Sequence, residues 1–103
     1  MTTSAELDAL IDELTVDAYD EDEQLSGFVV GAEEALRRAE PATIVGVEVQ
    51  VAGVDCGADG RIGLLARVRR DGATHEVALA DLTFAVGSEL GAVVAAYRRW
   101  QGR

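Results

Sequence analysis

The chain has 103 residues, of which 19 are acidic and 9 are basic, so its formal net charge is −10 at pH 7. This length predicts a single domain with a core of modest size. The one cysteine, Cys56, excludes an intrachain disulfide framework and any multi-cysteine metal site. No apolar run is long enough to span a membrane, and the first residues are polar and acidic. We therefore expect no signal peptide, no membrane partner and a cytoplasmic location.

The negative charge is concentrated at the beginning of the chain. Residues 1–40 contain twelve acidic residues and two arginines, whereas residues 41–103 contain seven of each. A field of this sign repels phosphate backbones and attracts cations or basic proteins. The charge distribution therefore argues against nucleic-acid binding and favours a cation or a basic protein as the partner.

A first helix is predicted over about residues 4–14. Thr3 and Glu6 have the spacing of a capping box. The apolar residues that follow lie on one helical face: Leu7, Leu10, Ile11 and Leu14. A short helix with one narrow stripe is stable only when that stripe is covered. We expect the stripe either to dock on the domain or to form the contact surface of a homodimer.

A second helix is predicted over about residues 20–39. Asp20 and Glu23 repeat the capping pattern, and Pro41 is expected to end the helix because the residue before a proline avoids helical geometry. Gly27 and Gly31 lower the helix propensity, so we expect them to permit close packing against the sheet. The predicted buried face consists of Leu25, Phe28, Val29, Ala32 and Leu36.

A small curled antiparallel β-barrel is predicted over about residues 44–84. Apolar and polar residues alternate in three segments, as in strands with one buried face. A glycine-containing turn at 57–61 and the dipeptide Asp71-Gly72 separate the segments, and Asp-Gly is typical of a two-residue hairpin. The predicted inward residues are Val47, Val49 and Val51, then Ile62, Leu64, Ala66 and Val68, then His75, Val77 and Leu79.

A closing helix is predicted over about residues 88–101, with Ser88 as its N-cap. Its apolar face is expected to lie on the sheet and to cover the open end of the barrel. That face consists of Leu90, Val93, Val94 and Tyr97, with Trp100 one turn further. Residues 1–103 are therefore predicted to form one α+β domain, with two N-terminal helices, a small barrel and one C-terminal helix.

No residue pattern typical of an enzyme is present. His75 is the only histidine, and the alternation places it at the start of a strand without a nucleophile beside it. Cys56 has Asp55 and Asp59 nearby, whereas a reactive thiolate needs positive surroundings. The sequence contains neither a nucleophile elbow nor a phosphate-binding glycine loop. We therefore expect a protein without enzymatic activity.

One acidic run has the chemistry of a cation site. Calcium takes about six to eight oxygen ligands, largely carboxylates and carbonyls. The EF-hand spacing fails, because a loop starting at Asp20 puts Leu25 at the glycine position and Gly31 at the position of the bidentate glutamate. A calcium site here is expected to be irregular, exposed and weak, and the alternative is a solvated helix cap without a ligand. The candidate ligands are Asp17, Asp20, Glu21, Asp22 and Glu23.

Most of the chain resembles a family of short, acidic, calcium-binding bacterial proteins, of the type found in cyanobacteria. The similar segments are DAYDEDEQLSGF at 17–28, VGVEV at 45–49, HEVALADL at 75–82 and AAYRRW at 95–100. The resemblance covers about residues 15–101. It implies a small SH3-like barrel with flanking helices, and it implies calcium binding by surface acids rather than by a compact loop. The acids of the run at 17–23 are the ones that match by position.

The sequence thus favours a cytoplasmic, non-catalytic protein that binds or buffers calcium with low affinity. The alternative is a protein-interaction adaptor. In that case the barrel or the first helix docks on a basic partner, or the first helix pairs with a second copy of itself.

Overall fold

The protein is known from a computed structural model, which describes residues 3–56 and 63–102. Within these ranges the chain forms three α-helices and a four-stranded antiparallel sheet, so the predicted α+β class is confirmed. No helix in the same ranges has the length and apolar character needed to cross a membrane. The elements are α1 (Ser4–Leu14), α2 (Glu21–Ala35), β1 (Glu40–Ile44), β2 (Val47–Cys56), β3 (Leu64–Arg70), β4 (Ala73–Ala78), a 3₁₀ turn (Leu79–Asp81) and α3 (Glu89–Gln101).

All three helices begin where their capping residues predict. The side chain of Thr3 accepts a hydrogen bond from the backbone N–H of Glu6 in α1, and Ser88 accepts one from Gly91 in α3. The predicted end of α2 at residue 39 is wrong, because the helix stops at Ala35. Pro41 lies inside β1 instead of just beyond a helix. The extended geometry that a proline imposes on the preceding residue therefore starts a strand at Glu40.

The sheet has the order β1-β2-β3-β4, and the prediction missed its first strand. The segment Glu40–Ile44 lacks an alternating pattern and contains a proline, which is tolerated on an edge strand. The dipeptide Val45-Gly46 connects β1 to β2 with φ values of 50° and 76°. Asp71-Gly72 connects β3 to β4 with 52° and 79°, so the predicted hairpin is confirmed. The sheet therefore begins at residue 40 and not at residue 44.

The described strands do not close into a barrel, because β1 and β4 are the two edges of an open sheet. A partial closure exists on the free side of β1. Thr43 and Thr83 exchange two backbone hydrogen bonds there, with N–O distances of 2.9 and 2.8 Å. The predicted turn at 57–61 and the predicted inward residue Ile62 lie outside the described residues.

The helices cover one face of the sheet and enclose the core. Ile11 of α1 is 1% exposed, and Phe28 of α2 and Val94 of α3 are fully buried. The other residues of the α1 stripe, Leu7, Leu10 and Leu14, are half-buried against the same core. Most of the stripe is therefore covered by α2 and α3 within the domain.

The glycines of α2 permit close packing, but against α1 and not against the sheet as predicted. A Cβ atom on Gly27 would lie 2.1 Å from the backbone oxygen of Leu14, and one on Gly31 would lie 2.3 Å from a methyl carbon of the Leu14 side chain. The two helices approach so closely that only glycine fits at these positions without a shift.

Three consecutive residues of α3 fasten the helix to three different parts of the fold. Arg98 donates to the carbonyl oxygens of Ala80 and Leu82 at the 3₁₀ turn. Arg99 forms a bidentate ion pair with Asp8 of α1, with N–O distances of 2.7 and 3.1 Å. Trp100 donates to a side chain of α2. The end of α3 therefore holds the two N-terminal helices and the 3₁₀ turn in position.

Candidate metal site at the start of α2

The acidic run begins in the connection between α1 and α2. Asp17 has a φ of 62°, in the left-handed region, and this conformation reverses the chain after α1. Its neighbours Val16 and Tyr19 are 68% and 89% exposed. The connection is therefore an exposed loop with acidic and apolar side chains side by side.

Two of the five candidate ligands cap α2. Asp20 accepts a hydrogen bond of 2.8 Å from the backbone N–H of Glu23. The side chain of Glu23 reaches back and accepts one of 2.8 Å from the N–H of Tyr19. This reciprocal arrangement supports the solvated-cap alternative, because both carboxylates stabilise the helix start without a metal. Each carboxylate nevertheless keeps acceptor capacity for a further ligand.

Glu21 and Asp22 occupy the first turn of α2, and both are exposed. Negative charge in this turn is favourable, since the free N–H groups give the helix end a partial positive charge. The backbone oxygen of Asp22 accepts a hydrogen bond of 3.1 Å from the hydroxyl group of Ser26. The carboxylates of these two residues project from a rigid helix and not from the preceding loop.

The charge of Asp22 acts on the end of β2, and the sequence prediction missed this relationship. Burial raises the pKa of the Cys56 thiol most, and the carboxylates of Asp55 and Asp22 raise it further. The end of β2 is therefore close to the start of α2. Asp55 stands next to Cys56 in the sequence, whereas Asp22 lies more than thirty positions earlier, so no local pattern indicates its effect on the thiol.

The structure does not assemble the five acids into a preformed cage. Across residues 3–56 and 63–102, no group of three or more histidine, cysteine, aspartate or glutamate side chains is arranged to hold a metal ion. It brings Asp20 and Glu23 together in the cap, and it places Asp22 where its charge acts on the thiol of Cys56. Binding by these exposed acids would require side-chain rearrangement and solvent ligands, so the assignment of the run as a metal site stays a prediction.

The donor set at the start of α2 is suited to a hard cation. Its side chains offer carboxylate oxygens, which calcium prefers. A soft metal such as zinc favours nitrogen and sulfur ligands, whereas the run at 17–23 contains neither histidine nor cysteine. The chemistry of the residues present therefore fits calcium better than zinc.

Comparison with known proteins gives a fold relationship. No protein-family model matches the sequence, and no curated protein matches it. A structural match exists with the crystal structure of CcbP from Anabaena, with a TM-score of 0.78 over 100% of this chain and 94% of that chain. This chain has the fold of CcbP. The sequence identity is 18%, so the likeness shows the fold alone.

The match to CcbP also corrects the extent of the resemblance deduced from the sequence. The predicted similarity began at about residue 15, whereas the structural likeness includes α1. The first helix is thus part of the shared architecture, in agreement with the burial of Ile11 in the core.

Proposed function

We propose that this protein is a non-catalytic, low-affinity calcium-binding protein that buffers calcium in the cytoplasm. The proposal rests on the concentration of carboxylates at the start of α2, and both Asp22 of α2 and Asp55 of β2 act on the thiol of Cys56. The resemblance of residues 17–28 to acidic calcium-binding proteins and the fold shared with CcbP support it. The ligands are drawn from Asp17, Asp20, Glu21, Asp22 and Glu23, and Asp55 is an additional candidate.

The arrangement of these acids accounts for the proposed low affinity. The carboxylates are exposed, and two of them already serve as caps, so a bound ion keeps several water molecules and gains little from preorganisation. Magnesium demands a regular octahedral site and loses water reluctantly. We therefore expect calcium to bind more tightly than magnesium at this flexible surface.

The proposal is tested by calorimetric titration of the full chain with calcium and with magnesium at physiological ionic strength. The test variant carries Asp20→Asn, Asp22→Asn and Glu23→Gln. These amides keep much of the shape and the capping capacity, but they remove three charged oxygen ligands. We expect at least about a tenfold loss of calcium affinity in this variant, as for the removal of several charged ligands.

A matched control removes the same amount of charge elsewhere. The control variant carries Glu33→Gln, Glu34→Gln and Glu48→Gln, all at exposed positions outside the run. If calcium only screens the net charge, the two variants lose calcium affinity equally, and the proposed site is rejected. A single Asp55→Asn variant then decides whether β2 contributes a ligand.

We further propose that the sheet represents an SH3-like barrel. The paired backbone hydrogen bonds between Thr43 and Thr83 support this, because they place the segment after the 3₁₀ turn beside β1. For the alternative function, docking of a basic protein, the docking surface would be the exposed acids of the run at 17–23, named here the acidic face. The α1 stripe does not serve as a free docking surface for this function, since Ile11 is buried.

A further inference from the structure

The two edges of the sheet differ in how they are protected. On β1, Pro41 has no N–H group to donate, and Thr83 already pairs with Thr43. On β4, no other strand among the described residues pairs with the outer side of Ala73–Ala78. Residues 73–76 are exposed, and β4 contains neither proline nor glycine nor a bulge. The outer side of β4, named here the β4 edge, therefore lacks two of the barriers to pairing with another strand, a proline and a bulge.

The hairpin geometry fixes which backbone groups point outward. In a two-residue hairpin the residues that flank the turn, here Arg70 and Ala73, form a hydrogen-bonded pair. Hydrogen-bonded pairs then alternate along the ladder, so His75 and Val77 direct their N–H and C=O groups toward β3. The corresponding groups of Thr74 and Glu76 point away from the sheet, where another strand can bind them.

We propose that the β4 edge pairs with the β4 edge of a second copy of this chain. The two strands run antiparallel about a two-fold axis at His75, and the two sheets join into one continuous sheet across the dimer. Thr74 of each copy then lies opposite Glu76 of the other, and both residues contribute outward N–H and C=O groups. Four backbone hydrogen bonds form at these two pairs.

The charges of the sheet select this register. Glu76 is the cross-strand partner of Arg67, and Arg69 is the partner of Thr74, an uncharged residue. In the proposed dimer each Glu76 lies between its own Arg67 on one side and Thr74 of the second copy on the other. Arg69 of the second copy lies just beyond that small Thr74 side chain, so Glu76 has an arginine on both sides. A register centred on Glu76 would instead place two like charges opposite each other. A register centred on Thr74 pairs fewer residues of the short strand.

The size of the contact predicts a weak dimer. One strand edge of six residues buries far less than the roughly 1,000 Å² expected of a stable interface. Association should therefore depend strongly on protein concentration. The charge of −10 opposes association, so the dimer should strengthen as ionic strength rises.

The first test is disulfide cross-linking in a Cys56→Ser background, which removes the native thiol. In the proposed register His75 lies directly opposite His75 of the second copy, in a non-hydrogen-bonded pair with a short Cβ–Cβ separation. A His75→Cys variant should form an intermolecular disulfide under mild oxidation. A Thr74→Cys variant is the matched control. Position 74 of one copy lies opposite position 76 of the other, so the two introduced thiols are offset along the strands beyond bonding distance. We expect about tenfold more covalent dimer from the first variant, and equal yields would overturn the proposal.

The second test uses sedimentation over a range of protein concentrations. Thr74→Pro removes one outward N–H group without removing a hydrogen bond to β3, and Thr74→Ala keeps that N–H. We expect Thr74→Ala to associate like the parent and Thr74→Pro to remain monomeric with native circular dichroism. Glu76→Arg should also weaken the dimer, and adding Arg69→Glu to it should restore association. Docking of the α1 stripe or of the acidic face would leave all these variants associating equally, which rejects the β4 edge.

Discussion

The indole N–H of Trp100 donates a hydrogen bond of 2.8 Å to the side-chain oxygen of Gln24. Gln24 lies one residue after the acidic run, and Trp100 is the only tryptophan in the chain. The ring of Trp100 also contacts that of Phe28, with centroids 5.2 Å apart. The only indole therefore lies where a change at the start of α2 alters its surroundings.

Calcium should change the fluorescence of Trp100 and raise the melting temperature of the protein. A bound ion stabilises the folded state by mass action, whereas sodium chloride at the same ionic strength only screens repulsion between the acids. We expect a larger shift with calcium, measured by thermal denaturation followed at Trp100. Gln24→Ala should reduce the fluorescence response while calorimetry still detects binding. Equal thermal shifts with both salts would argue for screening alone.

Val94→Asp should unfold much of the protein. Val94 is fully buried in the core, so the new carboxylate would have no partner and would cost about 4 kcal/mol, a large part of the stability of a domain of this size. The matched control is Val86→Asp, at a residue that is 98% exposed, where we expect a change within about 0.5 kcal/mol. Urea denaturation of both variants measures the difference, and similar midpoints would mean that α3 does not pack as described.

Gly27→Ala should destabilise the fold, although alanine normally favours a helix by about 1 kcal/mol over glycine. The new methyl group would meet the backbone oxygen of Leu14, which cannot move without shifting α1. We expect a net loss of about 1–3 kcal/mol. Gly31→Ala is the comparison, because it meets only the flexible end of the Leu14 side chain and should cost less. Chemical denaturation that ranked the two in the opposite order would contradict this account of the α1–α2 contact.

The alkylation rate of Cys56 should report on the charge around it. Only the thiolate reacts, and partial burial raises the pKa of this thiol most, followed by the carboxylates of Asp55 and Asp22, so at a given pH less thiolate is present than for a cysteine free in solution. Asp55→Asn or Asp22→Asn should lower this pKa and increase the rate at pH 8. Asp71→Asn, at the opposite end of the sheet, should leave it unchanged. Calcium bound between Asp22 and Asp55 should increase the rate in the parent, and no increase would place the ion elsewhere.

The sequence predicted those features that depend on a few neighbouring residues. Caps at Thr3, Asp20 and Ser88 located the helix starts, and Asp71-Gly72 located a hairpin, because each signal acts within one turn of chain. The strand β1 escaped prediction since its stability comes from pairing with β2 and not from its own pattern.

Contacts between segments that are distant in the chain could not be predicted from the sequence. The close approach of Gly27 to Leu14 depends on how two helices cross, and the effect of Asp22 on the thiol of Cys56 depends on how α2 lies against β2. For the candidate site, the sequence supplied the five acids and their expected exposure. It did not supply the capping roles that engage Asp20 and Glu23 or the effect of Asp22 on Cys56 at the end of β2.

The attachment of Arg98, Arg99 and Trp100 to three separate elements has a consequence for biosynthesis. Asp8 and Arg99 are 91 positions apart, so α1 leaves the ribosome long before its partner is made. During this interval the apolar stripe of α1 lacks its cover from α3, and the nascent chain is open to chaperones and proteases. The fold is therefore completed only after residues 98–100 have left the ribosome, and a chain that ends before Arg98 should be degraded.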